Sequence, residues 1–327
     1  MLIQSPDGKA QYPGSFLWES AAADRDGIVA GRHSHKSNTS SPTGRRSTPQ
    51  STSEHMPISW ETANQRLEVA AQLLNKADPA PGPGPFHVGI DLGTADIVVM
   101  VLNATGEPVA CFLEWAEVVR DGVVVDYAGA VDIVRRLVGL AQKKLGVEFS
   151  GAATSFPPGT EPRLSTYILE RVGLEVTAVQ DEPTCVANLL KLDRTAVVDV
   201  GGGTTGTAVV SRGKVVFSGD QPTGGRHISL VIAGHFGISF QEAEERKRQP
   251  DQYDILRLAR PTLQRMCDIV AGHIKGHRVE HLVLTGGTCC LPGVDAVFTE
   301  ELRLPIQLPC QPLLLTPFSI ASLFLLK

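Results

Sequence analysis

Residues 197–210 read VVDVGGGTTGTAVV. An apolar run stops at Asp199, gives way to Gly201, Gly202 and Gly203 with Thr204 and Thr205, then resumes with small and β-branched residues. Three successive glycines cost backbone entropy, so the turn exists to let something approach the main chain closely. The pattern predicts strand, turn and strand. An acid at the strand end suits a divalent ion, and glycine N–H groups with threonine hydroxyls suit phosphate. A single turn of this kind is also explained as a plain Gly-rich hairpin.

Two further turns strengthen the phosphate reading. GIDLGT (89–94) repeats the hydrophobic-Asp-x-Gly plan around Asp91, and LTGGT (284–288) places Gly286 and Gly287 after a third strand. Between and around them strand and helix patterns alternate: strands at 151–156 and 174–180, helices at 161–172, 228–236, 239–248 and 253–276, and a helix in DEPTCVANLLKL with Pro183 in its first turn. One Asp-x-Gly turn in each half predicts two related α/β lobes clamping a nucleoside triphosphate between them.

The remainder of the chain frames these motifs. With 327 residues, 42% hydrophobic and 20% charged, the composition is that of a soluble globular protein. A net charge of −5 and a pI near 6.0 argue against nucleic acid or anionic lipid as the partner. The six cysteines form no CxxC, which points to reduced thiols and a cytoplasmic setting; Cys289 and Cys290 lack metal-ligand spacing. No stretch is long and apolar enough for a membrane span. Residues 1–55, rich in Ser, Thr, Pro, Arg and His, read as a disordered leader, either upstream of a natural start at Met56, the favoured reading, or a genuine regulatory tail. Residues 56–85 read as an amphipathic helix over 59–76 and a Pro/Gly linker; the helix either docks on a partner or, the favoured alternative, packs back on its own domain. The run EAEERKR (242–248) reads as a solvated helix with an i,i+4 pair between Glu242 and Arg246.

GIDLGT, DEPTCVANL, VVDVGGGTT, TGGRHISL and LVLTGGTCCLPGV stand in the order of the actin, sugar-kinase and 70-kDa heat-shock chaperone superfamily. DGVVVDYAGAVDIVRR, AATSFPPGTEPR and GLEVTAVQDEPT make the chain resemble more closely the EutJ family of ethanolamine utilization proteins, over about residues 85–322. The resemblance implies an actin-like ATPase fold, lobe I over 86–194 and lobe II over 195–327, with the C-terminal segment returning toward lobe I. It implies ATP and Mg²⁺ as cofactors. Asp91, Gly93 and Thr94 match a first phosphate loop, and Asp199, Gly201, Gly202, Gly203, Thr204 and Thr205 a second. Gly286 and Gly287 match an adenosine loop, with Gly224 and Gly225 near the ribose. Asp91 and Asp199 would hold magnesium through water, and Glu182 matches the acid that orients the attacking water. From its position alone, Glu182 reads sooner as a first-turn acid complementing a helix dipole than as a catalytic group.

Departures from the superfamily's pattern are specific. Gly206 stands where relatives carry a second acid after the glycines, Ala95 and Asp96 stand where a lysine follows the first loop, and Arg226, His227 and Ser229 replace an acid near the ribose. Nucleotide binding is expected to survive these losses and fast hydrolysis is not. About 240 residues follow the linker, enough for two lobes with reduced outer subdomains. The expected function is an ATP-binding, chaperone-like accessory protein acting on ethanolamine ammonia-lyase or a bacterial microcompartment component. A small-molecule kinase and a scaffold of the FtsA or bacterial-actin type are the alternatives, and oligomeric state is not legible.

Overall fold

Alternation along the strands decides what each layer buries. The computed structural model describes residues 3–4, 10–11, 57–116, 119–120, 123–190 and 192–326. Apart from a two-residue strand pair, Ile3–Gln4 with Ala10–Gln11, the leader expected over 1–55 lies outside the described residues.

Helix α1 (Trp60–Leu73) opens on Ser59, whose Oγ accepts the Thr62 N–H at 3.1 Å. It buries Ala63, Leu67, Ala70 and Ala71 against its own domain, so it is not a detached partner-docking element. The Cys310 N–H donates to Asn64 Oδ1 at 2.7 Å and Arg66 donates to the Thr105 carbonyl at 2.8 Å, fixing its outer side. The Pro/Gly segment that follows is tied down as well: Lys144 Nζ donates to the carbonyls of Lys76 and Asp78 at 2.9 and 3.2 Å.

Lobe I then runs β1 (His87–Leu92), β2 (Asp96–Leu102), β3 (Pro108–Trp115), α2 (Tyr127–Leu145), β4 (Gly151–Phe156), α3 (Arg163–Val172) and β5 (Glu175–Asp181). Helix α4 (Glu182–Leu189) leads into lobe II: β6 (Thr195–Val200), β7 (Thr204–Ser211), β8 (Lys214–Pro222), α5 (Gly225–Phe236) and α6 (Phe240–Lys247). After a helical turn at Pro250–Tyr253 come α7 (Ile255–Ile274), β9 (His281–Thr285), α8 (Val294–Leu302), β10 (Ile306–Gln307) and α9 (Pro312–Ala321). Helix α5 thus begins at Gly225, three residues before the hydrophobic pattern starts, and α7 begins at Ile255 and not Tyr253. The β3 strand and the two-residue β10 were not legible from periodicity.

Each lobe carries a five-stranded sheet, ordered β3-β2-β1-β4-β5 and β8-β7-β6-β9-β10. In both, the first three strands pair antiparallel and the last two join in parallel. Val88, Ile90, Ile97 and Val99 face α2 and α3, while Val198, Val200, Leu282 and Leu284 face α5, α7 and α8. The opposite faces share a third core, into which Val98, Met100, Val197 and Val283 project together with residues of α1, α4 and α9. Helix α4 packs on β6, β7 and β8 of lobe II, and α9 packs on β1, β2 and β4 of lobe I. The two helices touch, so each lobe is braced by a helix beside the other.

Candidate functional site

The face shared by the sheets leaves a cleft of about 1230 Å³ above α4 and α9. Asp91 and Asp199 are the penultimate residues of β1 and β6, and their odd-even phase turns both toward this cleft. Ser155 Oγ donates to Asp91 Oδ1 at 3.2 Å, and Thr316 Oγ1 of α9 donates to Asp199 Oδ2 at 2.6 Å. Burial, then the charges of Asp96 and Asp199, push Asp91 up to about 8. Burial likewise raises Asp199 to about 6 against the Thr316 bond. Glu182, first residue of α4, is held well above the usual carboxylate range by burial and then by Asp91 and Asp199.

The glycine turns meet over these acids. A Cβ on Gly202 would lie 2.9 Å from the Ala95 Cβ and 3.5 Å from that of Thr94, so the first and second hairpins touch tip to tip. Gly286 has φ +91°, and a Cβ there would stand 2.4 Å from Asp199 Oδ1, which requires glycine. Gly93, Thr94, Gly201, Gly202, Thr204, Gly225, Gly286 and Gly287 line the cleft with the three acids. Gly203, Thr205 and Gly224 stand behind the lining. Thr205 is fully buried and gives its hydroxyl to the Thr223 carbonyl at 2.7 Å, a bond internal to lobe II. Gly224 packs on the second loop, where the N–H groups of Gly225 and Arg226 donate to the carbonyls of Gly201 and Gly202 at 2.9 and 2.7 Å. The amino end of α5 therefore anchors the glycine loop.

Several residues in or behind the cleft wall escaped sequence reading. Asp96, whose position was noted only for the lysine it replaces, is buried on the cleft wall and raised to about 7 by burial and Asp199, with Arg248 opposing. Asp220 of β8 is raised to about 7 by burial. Thr316 and Thr285 are polar groups within apolar runs, and that incongruity was the available signal: Thr285 Oγ1 donates to the Pro312 carbonyl and lies 3.1 Å from Thr316 Oγ1.

The EAEERKR run is solvated on one face only, where Glu242 and Glu245 are exposed. Glu244, Glu245, Lys247 and Arg248 line the cleft, and the Lys247 side chain is 13% exposed. Lys247 Nζ donates to Glu244 Oε1, Ser229 Oγ and the Gly225 carbonyl at 2.7, 2.8 and 3.2 Å. Glu244 thus brings an acid beside Ser229, where none stands in the local sequence. The expected Glu242–Arg246 attraction persists as a minor influence on Glu242 beside its capping box with Ser239, while Arg246 stacks over Phe236 and Tyr253. Arg248 reaches across to lobe I and lies 4.5 Å over the Trp115 ring.

Such a cleft separates two chemistries. Its floor is acidic: among the described residues no cation lowers Asp91, Asp199 or Glu182. Its lobe II wall carries Lys247, Arg248 and Arg226. All six cysteines are free, and among the described residues no group of three or more His, Cys, Asp or Glu could hold a metal ion unaided. No helix among them is long and apolar enough to cross a membrane.

Comparison with known proteins agrees with this architecture. The family profile described as Type IV pilus assembly protein PilM matches residues 174–316. The chain is 51% identical over 258 residues to ethanolamine utilization protein EutJ of Escherichia coli K12, covering 79% of this chain and 92% of that protein. The crystal structure of EutJ from Carboxydothermus hydrogenoformans, 42% identical, superposes with a TM-score of 0.75 over 80% of this chain and 98% of that one. MreB 5 of Spiroplasma citri bound to AMPPNP, 16% identical, covers 73% of this chain and 95% of that one with a TM-score of 0.55. The fold is the actin-like ATPase fold, two α/β lobes about a cleft.

Proposed function

The chain belongs to the EutJ family of ethanolamine utilization proteins, and we propose from this premise that it binds ATP with Mg²⁺ in the cleft. In this reading it is a chaperone-like accessory protein, cytoplasmic, whose client is ethanolamine ammonia-lyase or a microcompartment component. The observation that carries the nucleotide reading is the meeting of two glycine hairpins from opposite lobes above Asp91 and Asp199.

The residues fit magnesium in a particular way. Asp91 and Asp199 are buried acids with raised pKa values that no cation among the described residues lowers, which leaves the floor short of positive charge. Because no carboxylate trio could hold the ion alone among the described residues, Asp91 and Asp199 would hold it from outside, through water. The bound ion would neutralise phosphate oxygens and lower the cost of ionising the floor. Backbone of Gly93–Thr94 and Gly201–Gly202 then faces the phosphates, as N–H donors do in glycine nests. Glu182, at the start of α4 and raised by burial and by both aspartates, would orient the attacking water and would accept its proton only once the bound ion draws the carboxyl back into its ionised form. With no lysine after the first loop, turnover is expected below the ~1 s⁻¹ that marks slow enzymes.

Thermal melting tests the reading. ATP with Mg²⁺ at about 100 times Kd adds roughly 2.7 kcal/mol to stability, and Asp199→Ala abolishes the shift. A wild-type melting curve unmoved by millimolar Mg·ATP overturns it. Affinity capture from cells grown on ethanolamine, with and without nucleotide, tests the client: recovery of neither the lyase nor a shell protein removes the chaperone assignment.

A further inference from the structure

β8 approaches the acidic floor from behind. Gly206 of β7 and Asp220 of β8 are cross-strand partners. A Cβ built on Gly206 would stand 3.4 Å from Asp220 Oδ1 and 3.6 Å from Pro183, so the Asp220 carboxylate fills the space a side chain at 206 would enter. Ser218, two residues earlier and therefore on the same face of β8, donates to Asp181 Oδ1 at 2.7 Å. Asp181 caps α4. The face carrying Asp220 is thus set against the first turn of α4, where Glu182 lies.

Thr204 and the Gln221 backbone lie near enough to the Asp220 carboxylate to oppose its rise, yet its Oδ1 is buried with no hydrogen-bond partner among the described residues. A buried carboxylate oxygen left unpaired is costly. An apolar residue would pack the same space without that cost.

We propose that Asp220 is a positioning residue of the cleft. It supplies, from the neighbouring strand, the carboxylate that Gly206 lacks, and through Thr204 and beside Glu182 it orders the side chains that face the magnesium-bearing end of the phosphates. The proposal rests on the nucleotide reading above.

Calorimetric titration of the full chain with ATP, in Mg²⁺ and separately in EDTA, tests it. Asp220→Asn, which keeps the shape, is expected to weaken binding about 10-fold or more in Mg²⁺, the usual loss for an outer partner of a metal site, and to leave the EDTA value unchanged. Moving the carboxylate across the pair, Gly206→Asp with Asp220→Ala, is expected to restore the Mg²⁺-dependent gain. An unchanged Asp220→Asn, an equal loss with and without magnesium, or a swap that recovers nothing overturns the proposal while leaving ATP binding intact. A wild-type chain without affinity for ATP in either buffer overturns both readings together.

Discussion

Asp91 shows what one residue of the floor contributes and withholds. Its carboxyl ionises near pH 3.8 in an unfolded chain and at about 8 in the fold. Between those values the folded chain holds the extra proton, so stability falls as pH rises through that window. Asp96, raised to about 7, and Asp199, raised to about 6, add slope of the same sign. The nucleotide-free chain is therefore expected to melt lower at pH 8 than at pH 5, with Asp91→Asn flattening the dependence and Mg·ATP lifting the high-pH end. Melting across pH with and without ligand checks this, and a Tm that rises toward pH 8 without ligand refutes it. Gly286→Ala is expected to cost about 1–3 kcal/mol through backbone strain and to disturb Asp199, whose Oδ1 occupies the added methyl's place. Asp91 and Asp199 were legible because strand end, acid and glycines are contiguous in sequence. Asp220 and Lys247 were not, because each enters from an element whose own pattern says nothing of what it faces.

At the scale of elements, period fixes the buried face and leaves its neighbour open. The spacing of Ala63, Leu67 and Ala70 predicts an amphipathic α1, but a partner and the chain's own β3 would satisfy that stripe equally. In the fold, β3 and α9 cover it. Leu67 is fully buried, so Leu67→Ala is expected to destabilise the chain by about 2–5 kcal/mol, read by denaturant unfolding. A helix serving only a partner would show almost no loss. The same limit explains α6, where an alternating charged face looks solvated until α5 and the cleft are placed beside it. β3 was missed because α1 and α2 cover its two faces, which leaves Val109 to Leu113 with little alternation to read.

For the whole molecule, the repeat in sequence becomes a repeat in topology, and the exchanged helices α4 and α9 tie the lobes at the base of the cleft. One contact near the cleft also joins the lobes: Arg248, the C-cap of α6, lies 4.5 Å over Trp115 at the end of β3. Asp96 pairs with Trp115 across β2 and β3, and its carboxylate feels the same guanidinium. A ligand entering the 1230 Å³ space must settle among residues that include this pair. Cation–π stacking depends steeply on geometry within about 6 Å of the ring, so Trp115 emission should report any change in lobe spacing. Titrating Mg·ATP into the wild-type chain is expected to change tryptophan fluorescence with the same Kd that calorimetry gives. Trp115→Phe should remove most of that change while keeping the affinity, and Trp60→Phe should leave the change in place, because Trp60 lies in α1 and is not among the cleft residues. Asp199→Ala, deprived of nucleotide, should show no change at all. If Trp115→Phe keeps the full signal, the lobes hold a fixed spacing at this contact and binding is confined to the hairpins beneath it.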